Sequence, residues 1–190
     1  MRLAEPLLGS AYGVRSPDDD DARFTVALRS DAEISRYLHR ASGDLNAQLA
    51  WQRRALERDD DVPLIVFHRA TRAAEGTAGL YNIDWRSGRA EWGRWIVRTG
   101  SRAAVESAIL VYTLAFDVLR LHMVYCRTLA ANARTVAFHD RAGLQRTQVG
   151  RMHLDGAEVG FIEHTITATV WPGVRRRLQP VADRVAARPA

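Results

Sequence analysis

Lysine is absent from the 190 residues of this chain, and cysteine occurs only once, as Cys126. A single thiol excludes an internal disulfide framework and a cysteine-based metal cluster. No apolar run reaches the ~20 residues that a membrane helix requires. The first ten residues also lack the basic flank and apolar stretch of a secretory signal. These absences predict a protein of the reducing cytoplasm that is not inserted in a membrane.

The positive charge is concentrated at the C-terminal end. The formal net charge is +5, and residues 174–190 alone contain five arginines against one aspartate, so the remainder of the chain is almost neutral. A basic end on a neutral body is more typical of a solvated tail than of a nucleic-acid surface. We therefore predict one domain over residues 1–173, a flexible basic tail over 174–190 and no nucleic-acid partner.

The spacing of apolar residues predicts one α/β domain with the element order β-αα-βββ-α-β-α-ββ. Apolar side chains recur at helical spacing over 103–119. Gly143 is positioned to end a helix, and Asp155-Gly156 is a hairpin signal. The predicted helices span 18–28, 45–57, 103–119 and 133–142, and the predicted strands span 12–15, 62–67, 76–83, 91–97, 122–129, 144–153 and 159–170.

Three consecutive segments carry a family resemblance. They read AEWGRWIV at 90–97, YTLAFDVLRLH at 112–122 and YCRTLAANARTVAFHDRAGL at 125–144. In this order they resemble the GNAT superfamily of N-acetyltransferases, over roughly residues 12–171, with Leu144 where an aromatic residue is usual. The chain is most similar to amino-sugar N-acetyltransferases of the pseudaminic-acid pathway type, which often have a histidine at the position of His139.

The resemblance implies an α/β GNAT fold. Its central mixed, largely antiparallel sheet is flanked by helices, and two strands splay apart at the acetyl-CoA site. The family pattern Gln/Arg-x-x-Gly-x-Gly/Ala presents backbone N–H groups to the pyrophosphate at the start of the long helix. Residues 98–103 read RTGSRA, which keeps the leading arginine and the final small residue but has Ser101 at the central glycine position.

Backbone donors need no particular side chain, so residues 100–104 are still expected to hold phosphate, with Arg98 and Arg102 adding charge. A helix start capped by Ser101 would explain the same residues without a ligand. By the resemblance, Asn132 hydrogen-bonds the pantetheine arm, and it also suits a helix N-cap. The cofactor residues implied for acetyl-CoA are Ile96, Val97, Arg98, Thr99, Gly100, Ser101, Arg102, Ala103, Ala104, Asn132, Thr135, Phe138 and Arg141.

Two residues are candidates for proton transfer. His139 matches the position of a tyrosine that, in many family members, returns a proton to the departing thiolate. Its ordinary pKa of ~6.5 suits that task, although a surface histidine on an amphipathic helix is the alternative. Glu91 is the candidate base for the attacking amine because it opens the strand expected to border the acetyl group. A solvated glutamate on an edge strand is the alternative.

The acceptor contacts are expected on neighbouring strands. Tyr81, Asp84 and Trp92 are the candidates, although a strand aromatic, a turn aspartate and a core tryptophan explain them equally well. Strict alternation along 91–97 would separate Trp92 from Trp95 on opposite faces of the sheet. The histidines show no metal-ligand spacing, so no metal is predicted.

Three functions remain open on the sequence. The first is direct acetyl transfer from acetyl-CoA to a small amine, in particular a nucleotide-linked amino sugar. The second is protein N-terminal acetylation of the ribosomal-protein type, and the third is a GNAT-like binding module that has lost acetyl-CoA. Because dimers are common in the family, the resemblance also admits a homodimer.

Overall fold

The computed structural model describes residues 1–39 and 43–187 and contains one eight-stranded sheet. The strand order is β1-β2-β3-β4-β5-β6-β8-β7, and every neighbouring pair is antiparallel except β5 with β6, which is parallel. This sheet confirms the mixed, largely antiparallel GNAT architecture. The strands are β1 (Leu7–Leu8), β2 (Tyr12–Arg15), β3 (Asp61–His68), β4 (Ala74–Asp84), β5 (Arg89–Val97), β6 (Met123–Leu129), β7 (Gln145–Leu154) and β8 (Ala157–Thr167).

Helices cover both faces of the sheet. Cross-strand partners Tyr81 and Glu91 share one face, and the neighbouring pair Leu80 and Trp92 shares the other. The Trp92 ring packs on α4, 4.9 Å from the ring of Tyr112. The helices are α1 (Asp21–Ser30), α2 (Ala32–Ser35), α3 (Leu45–Glu57), α4 (Ala104–Thr113, continued by a π-helical turn over Leu114–Val118), α5 (Ala133–Ala142) and α6 (Trp171–Ala186).

Local signals fix the bounds of α3 and α5 where the sequence predicts them. The Asp44 side chain accepts a hydrogen bond from the N–H of Asn46 at the start of α3. The Asn132 side chain accepts one from the N–H of Thr135 at the start of α5. Helix α5 ends at Gly143, whose φ of 89° is in the left-handed region that favours glycine.

The C-terminal segment is helical, which corrects the prediction of a flexible tail over 174–190. One face of α6 is apolar and packs against α4, while its arginines face outward. The basic composition concealed this apolar stripe. The domain therefore continues through α6, and Arg188 lies outside the described residues. The buried residues of α6 are Trp171, Val174, Leu178 and Ala182.

A β-bulge interrupts β5. Arg94 has a φ of 53°, and the register between β4 and β5 shifts at this point. The bulge places Trp92 and Trp95 on the same face, with ring centroids 5.0 Å apart. The prediction of strict alternation over 91–97 is therefore wrong, because the extra residue reverses the side-chain directions that follow it.

Strands β5 and β6 separate after a short paired segment. Their pairing begins at Arg89 and ends at Glu91, which is partnered with Tyr125. Beyond this pair β5 runs on to Val97 and β6 to Leu129. The two strands therefore form the predicted splay, and the edge of each strand that faces the splay is available to a ligand.

Candidate active site

Two cavities lie on either side of the bulge in β5. The larger, of about 820 Å³, is bordered by the end of β5, the start of α4, the start of α5 and α2. The smaller, of about 480 Å³, is bordered by α1, α3, β3 and β4. Arg94 lines the smaller cavity and the next residue, Trp95, lines the larger one. The cavities therefore approach the same point of the chain from two directions.

The larger cavity brings together most of the predicted cofactor residues. Arg102, Ala103 and Arg141 do not line it. Ala103 is buried, whereas Arg102 and Arg141 are exposed. Those that line the cavity are Ile96, Val97, Arg98, Thr99, Gly100, Ser101, Ala104, Asn132, Thr135 and Phe138.

The loop before α4 has the geometry of an anion-binding turn. Gly100 has a φ of 83°, which a residue with a side chain rarely adopts. The Ser101 N–H donates to the carbonyl of Arg98 at 3.1 Å, and the Ser101 hydroxyl accepts from the N–H of Ala103 at 3.2 Å. The N-cap residue of α4, Ala103, makes no side-chain cap hydrogen bond to the first turn, and the N–H groups of a helix start suit an anion. Gly100 thus provides a positive φ in this loop, although Ser101 stands at the central glycine position of the family pattern.

The charge of Arg98 is committed to a partner. Its guanidinium bonds Glu75 through two contacts, of 3.0 and 2.8 Å. Burial opposes the ionisation of Glu75, but the hydrogen bonds from Arg98 hold the pKa of this carboxyl below its ordinary value. Among the described residues, Arg36 and Arg134 also line the cavity. Sequence reasoning missed both, because neither lies in the phosphate loop.

Helix α2 and the residues after it form an unpredicted wall of the larger cavity. Ile34, Tyr37 and Leu38 supply apolar surface there, and Asp31 caps the short helix. The segment has no helical periodicity long enough to be recognised. Its place at the cavity therefore depends on tertiary contacts that the sequence pattern does not show.

The N-cap role of Asn132 is compatible with ligand binding. Its side-chain oxygen accepts from the Thr135 N–H at 3.2 Å. An asparagine amide also has an NH₂ group with two donors. The residue can therefore cap α5 and donate to a ligand in the larger cavity.

Arg94 is held rigidly at the edge of the smaller cavity. Its guanidinium makes two hydrogen bonds to the buried Asp61, at 2.6 and 3.0 Å. The same group lies 4.9 Å from the ring centroid of Trp51 and 4.2 Å from that of Tyr81. This arrangement fixes two aromatic rings and one cation beside the bulge.

Glu91 lies on the same face as the smaller cavity and is buried. It is the cross-strand partner of Tyr81, which lines that cavity, and its carboxylate accepts from the side chain of Asn82 at 3.2 Å. Burial, followed by the charge of Glu91, raises the pKa of Tyr81. The structure therefore puts the predicted base next to the cavity and at the closed end of the splay.

His139 is buried in the core, which corrects its prediction as the proton donor. Only 2 % of it is exposed, it lines neither cavity, and its Nε2 atom lies 3.5 Å from the sulfur of Cys126. Burial, followed by the nearby His164, lowers the pKa of His139 to about 3. The imidazole is therefore neutral near pH 7, and a neutral imidazole is too weak an acid to protonate a thiolate.

Of the predicted acceptor residues, only Tyr81 lines the smaller cavity. Trp92 is buried against the rings of Tyr112 and His139. The Asp84 carboxylate instead accepts from the N–H groups of Arg86 and Ser87 in the β4–β5 turn. Trp92 is thus a core residue and Asp84 a turn residue, which are the alternatives to acceptor binding that the sequence left open.

Over residues 1–39 and 43–187, no group of three or more His, Cys, Asp or Glu side chains is arranged to hold a metal ion. None of the helices in these ranges combines the length and apolarity needed to cross a membrane.

Comparison with known families identifies the class of protein. The model of the acetyltransferase (GNAT) domain matches residues 13–145, which is more than half of the chain. The protein therefore belongs to the GNAT acetyltransferase family, and members of this family use acetyl-CoA. A search of curated proteins found no significant match.

Solved structures share the fold at low sequence identity. FdhC, described as a nucleotide-linked sugar GNAT, has a TM-score of 0.78 and 23 % identity over 92 % of this chain and 97 % of its own. A GCN5-related N-acetyltransferase from Brucella melitensis has a TM-score of 0.80 and 19 % identity, covering 94 % and 85 %. The Vibrio cholerae spermidine N-acetyltransferase in complex with CoA and spermine has a TM-score of 0.77 and 17 % identity, covering 86 % and 99 %. These likenesses establish the fold and leave the acceptor open.

Proposed function

We propose that this protein transfers an acetyl group from acetyl-CoA to the amine of a nucleotide-linked amino sugar. The observation that carries the proposal is the meeting of two cavities at the β5 bulge. The larger cavity would hold acetyl-CoA and the smaller cavity the acceptor. Direct attack of the amine on the thioester then needs no covalent enzyme intermediate.

The residues of the larger cavity fit acetyl-CoA. The turn at Gly100 and the uncapped start of α4 suit the pyrophosphate, and Arg36 and Arg134 add positive charge. The splayed edges of β5 and β6 offer main-chain groups to the pantetheine arm, with Asn132 beside them. When bound, acetyl-CoA supplies an activated acetyl group as a thioester.

The charges of the smaller cavity favour an anionic acceptor over a polyamine. Among its described lining residues, Arg29 and Arg94 carry guanidinium groups and Asp44 is the sole carboxylate. The charge of Arg94 is partly neutralised by the buried Asp61. A polyamine would need several carboxylates, whereas a nucleotide diphosphate is matched by arginines. Trp51 and Tyr81 supply aromatic faces for a sugar or base.

The smaller cavity, proposed for the acceptor, gives less support to protein N-terminal acetylation. His39 lines the smaller cavity, and its Nδ1 atom lies 3.1 Å from a carboxylate oxygen of Asp155 at the β7–β8 turn. This contact joins the segment after α2 to the hairpin. A peptide acceptor requires an open groove, so it would have to break the contact.

Glu91 is the proposed base. The acceptor nitrogen must lose a proton as it forms the amide, and the Glu91 carboxylate is adjacent to Tyr81 of the smaller cavity. Backbone N–H groups of the splayed strand would stabilise the negative charge that develops on the thioester oxygen.

The test is release of the CoA thiol in the presence of three acceptor classes. A UDP-linked 4-amino sugar, spermidine and an N-terminal peptide would be compared at equal concentration, with E91Q as the control enzyme. We expect release with the sugar nucleotide and a loss of roughly 10²-fold or more in E91Q. Release with spermidine or peptide alone would overturn the proposed acceptor.

A further inference from the structure

The last turn of α1 places Arg29 in the wall of the smaller cavity. The residue is half-buried, and its Nη2 atom donates to the main-chain carbonyl of His39 at 2.8 Å. Among the described residues, none of its contacts is an ion pair with a carboxylate. The carbonyl therefore orients the guanidinium without neutralising its charge.

The surroundings of Arg29 disfavour an isolated positive charge. Burial, followed by the positive charge of Arg94, lowers the pKa of Arg29 below its ordinary value. The charge of Asp155 acts in the opposite direction but ranks below both causes. A half-buried cation of this kind is stabilised when an anionic group makes hydrogen bonds to it. The cavity therefore suits a ligand that brings negative charge to Arg29.

Arg94, which also lines this cavity, has a different set of contacts. Its guanidinium makes two hydrogen bonds to the buried Asp61, at 2.6 and 3.0 Å. It also lies 4.2 Å from the ring centroid of Tyr81. Arg94 therefore holds an aromatic ring in position, whereas the charge of Arg29 remains for a ligand.

The two arginines belong to different walls of the cavity. Arg94 is on β5 and Tyr81 is on β4, next to Glu91, whereas Arg29 is on α1. In the proposed reaction the acceptor amine approaches the thioester from the sheet wall. The remainder of the acceptor then extends toward the helices, where a phosphate attached to the amino sugar would meet Arg29.

We propose that Arg29 selects acceptors that carry a phosphate group, a role that rests on the proposed acetyl transfer to a nucleotide-linked amino sugar. The guanidinium donates to the phosphate oxygens through the N–H groups that the His39 carbonyl does not use. A free amino sugar offers Arg29 no anionic partner and is a poor acceptor. Arg29 thus determines specificity and takes no part in breaking the thioester.

The experiment is a calorimetric titration of UDP into protein that is already saturated with CoA. The bound CoA keeps the diphosphate of UDP away from the turn at Gly100. R29Q should raise the dissociation constant of UDP by about 10-fold or more, because a hydrogen bond to a charged group is lost. R23Q changes an exposed arginine of the same helix and should leave it unchanged. Uridine, which lacks the diphosphate, should not distinguish the three proteins.

CoA affinity separates recognition of phosphate from a structural role of Arg29. Tyr37 and Leu38, of the segment that Arg29 contacts through His39, line the larger cavity. A displaced segment would therefore weaken CoA binding as well. R29Q retains an amide donor for the His39 carbonyl and should keep the wild-type affinity for CoA. Loss of affinity for both compounds would overturn the selective role.

The remaining outcomes distinguish the phosphate site from the proposed function. Equal UDP affinity in R29Q and the wild type, or no UDP binding by the CoA-bound wild type, would overturn the site while acetyl transfer to another amine stood. UDP binding that depends on Arg29, without acetylation of a UDP-linked 4-amino sugar, would support the site and overturn the proposed acceptor.

Discussion

Glu91 of β5 and Tyr125 of β6 are the last cross-strand partners before the two strands separate. The position combines a buried carboxylate with an adjoining phenol at the closed end of the splay. Because Tyr81 connects the same carboxylate to the smaller cavity, substitutions here should affect catalysis more than they affect cofactor binding.

Gly93 leaves space for the hydroxyl of Tyr81. A Cβ atom built at Gly93 would lie well inside contact distance of that hydroxyl, whereas one at its cross-strand partner Gly79 meets nothing closer than 3.4 Å. G93A should displace the phenol from Glu91 and lower kcat, at a stability cost of roughly 1–3 kcal/mol. G79A is the matched control and should do neither. Equal kcat values for the two variants would refute this role of Gly93.

The burial of His139 should make the protein sensitive to acid. The pKa of this residue is about 3 in the folded state and ~6.5 in the unfolded state. Between these values the unfolded chain binds a proton that the folded chain does not, so stability falls as the pH drops from ~6.5 toward 3. H139Q should reduce the slope of unfolding free energy against pH by up to ~1.4 kcal/mol per pH unit.

Denaturant titrations at several pH values measure that slope. H153N removes an exposed histidine and should keep the wild-type slope. An unchanged slope in H139Q would show that its imidazole is accessible to protons in the folded state.

Helix α6 should contribute to the stability of the domain. Leu178 is buried, so L178A should lower the free energy of unfolding by about 2–5 kcal/mol. R176A, on the exposed side of the same helix, should change it by less than ~0.5 kcal/mol. Chemical denaturation distinguishes the two, and a neutral L178A would mean that the helix does not pack on α4 in solution.

The elements that the sequence predicts best are those with local boundary signals. Asn132 and Gly143 bound α5, because caps and left-handed turns depend on only a few neighbouring residues. The family motifs also predicted half of the described residues that line the larger cavity. The family pattern over 98–103 also predicted the start of α4, which begins at Ala104.

The remaining features depend on contacts between distant segments. The bulge at Arg94 requires a positive φ in a residue that is not glycine, so simple alternation misplaced Trp95. Burial of His139 depends on rings from β5 and a histidine from β8. The apolar stripe of α6 is interspersed with arginines, so the composition of this segment alone indicates a solvated tail.

Asn132 should have separable effects on stability and on cofactor binding. N132A removes the cap and should cost about 1 kcal/mol, and it also removes the amide donor. N132D keeps a capping oxygen, so it should retain the stability but weaken acetyl-CoA binding. Calorimetric titration beside thermal unfolding measures both quantities. Wild-type affinity in both variants would limit Asn132 to its structural role.

Binding of acetyl-CoA is the most direct test, measured as the thermal midpoint with and without the compound. At ~100 times its dissociation constant, acetyl-CoA should add ~2.7 kcal/mol of stability. R134E, which reverses a charge lining the larger cavity, should reduce the upward shift, and R176E on the exposed face of α6 should not. An upward shift that depends on Arg134 supports an acetyltransferase with its cofactor at the splay. No shift in the wild type would contradict it.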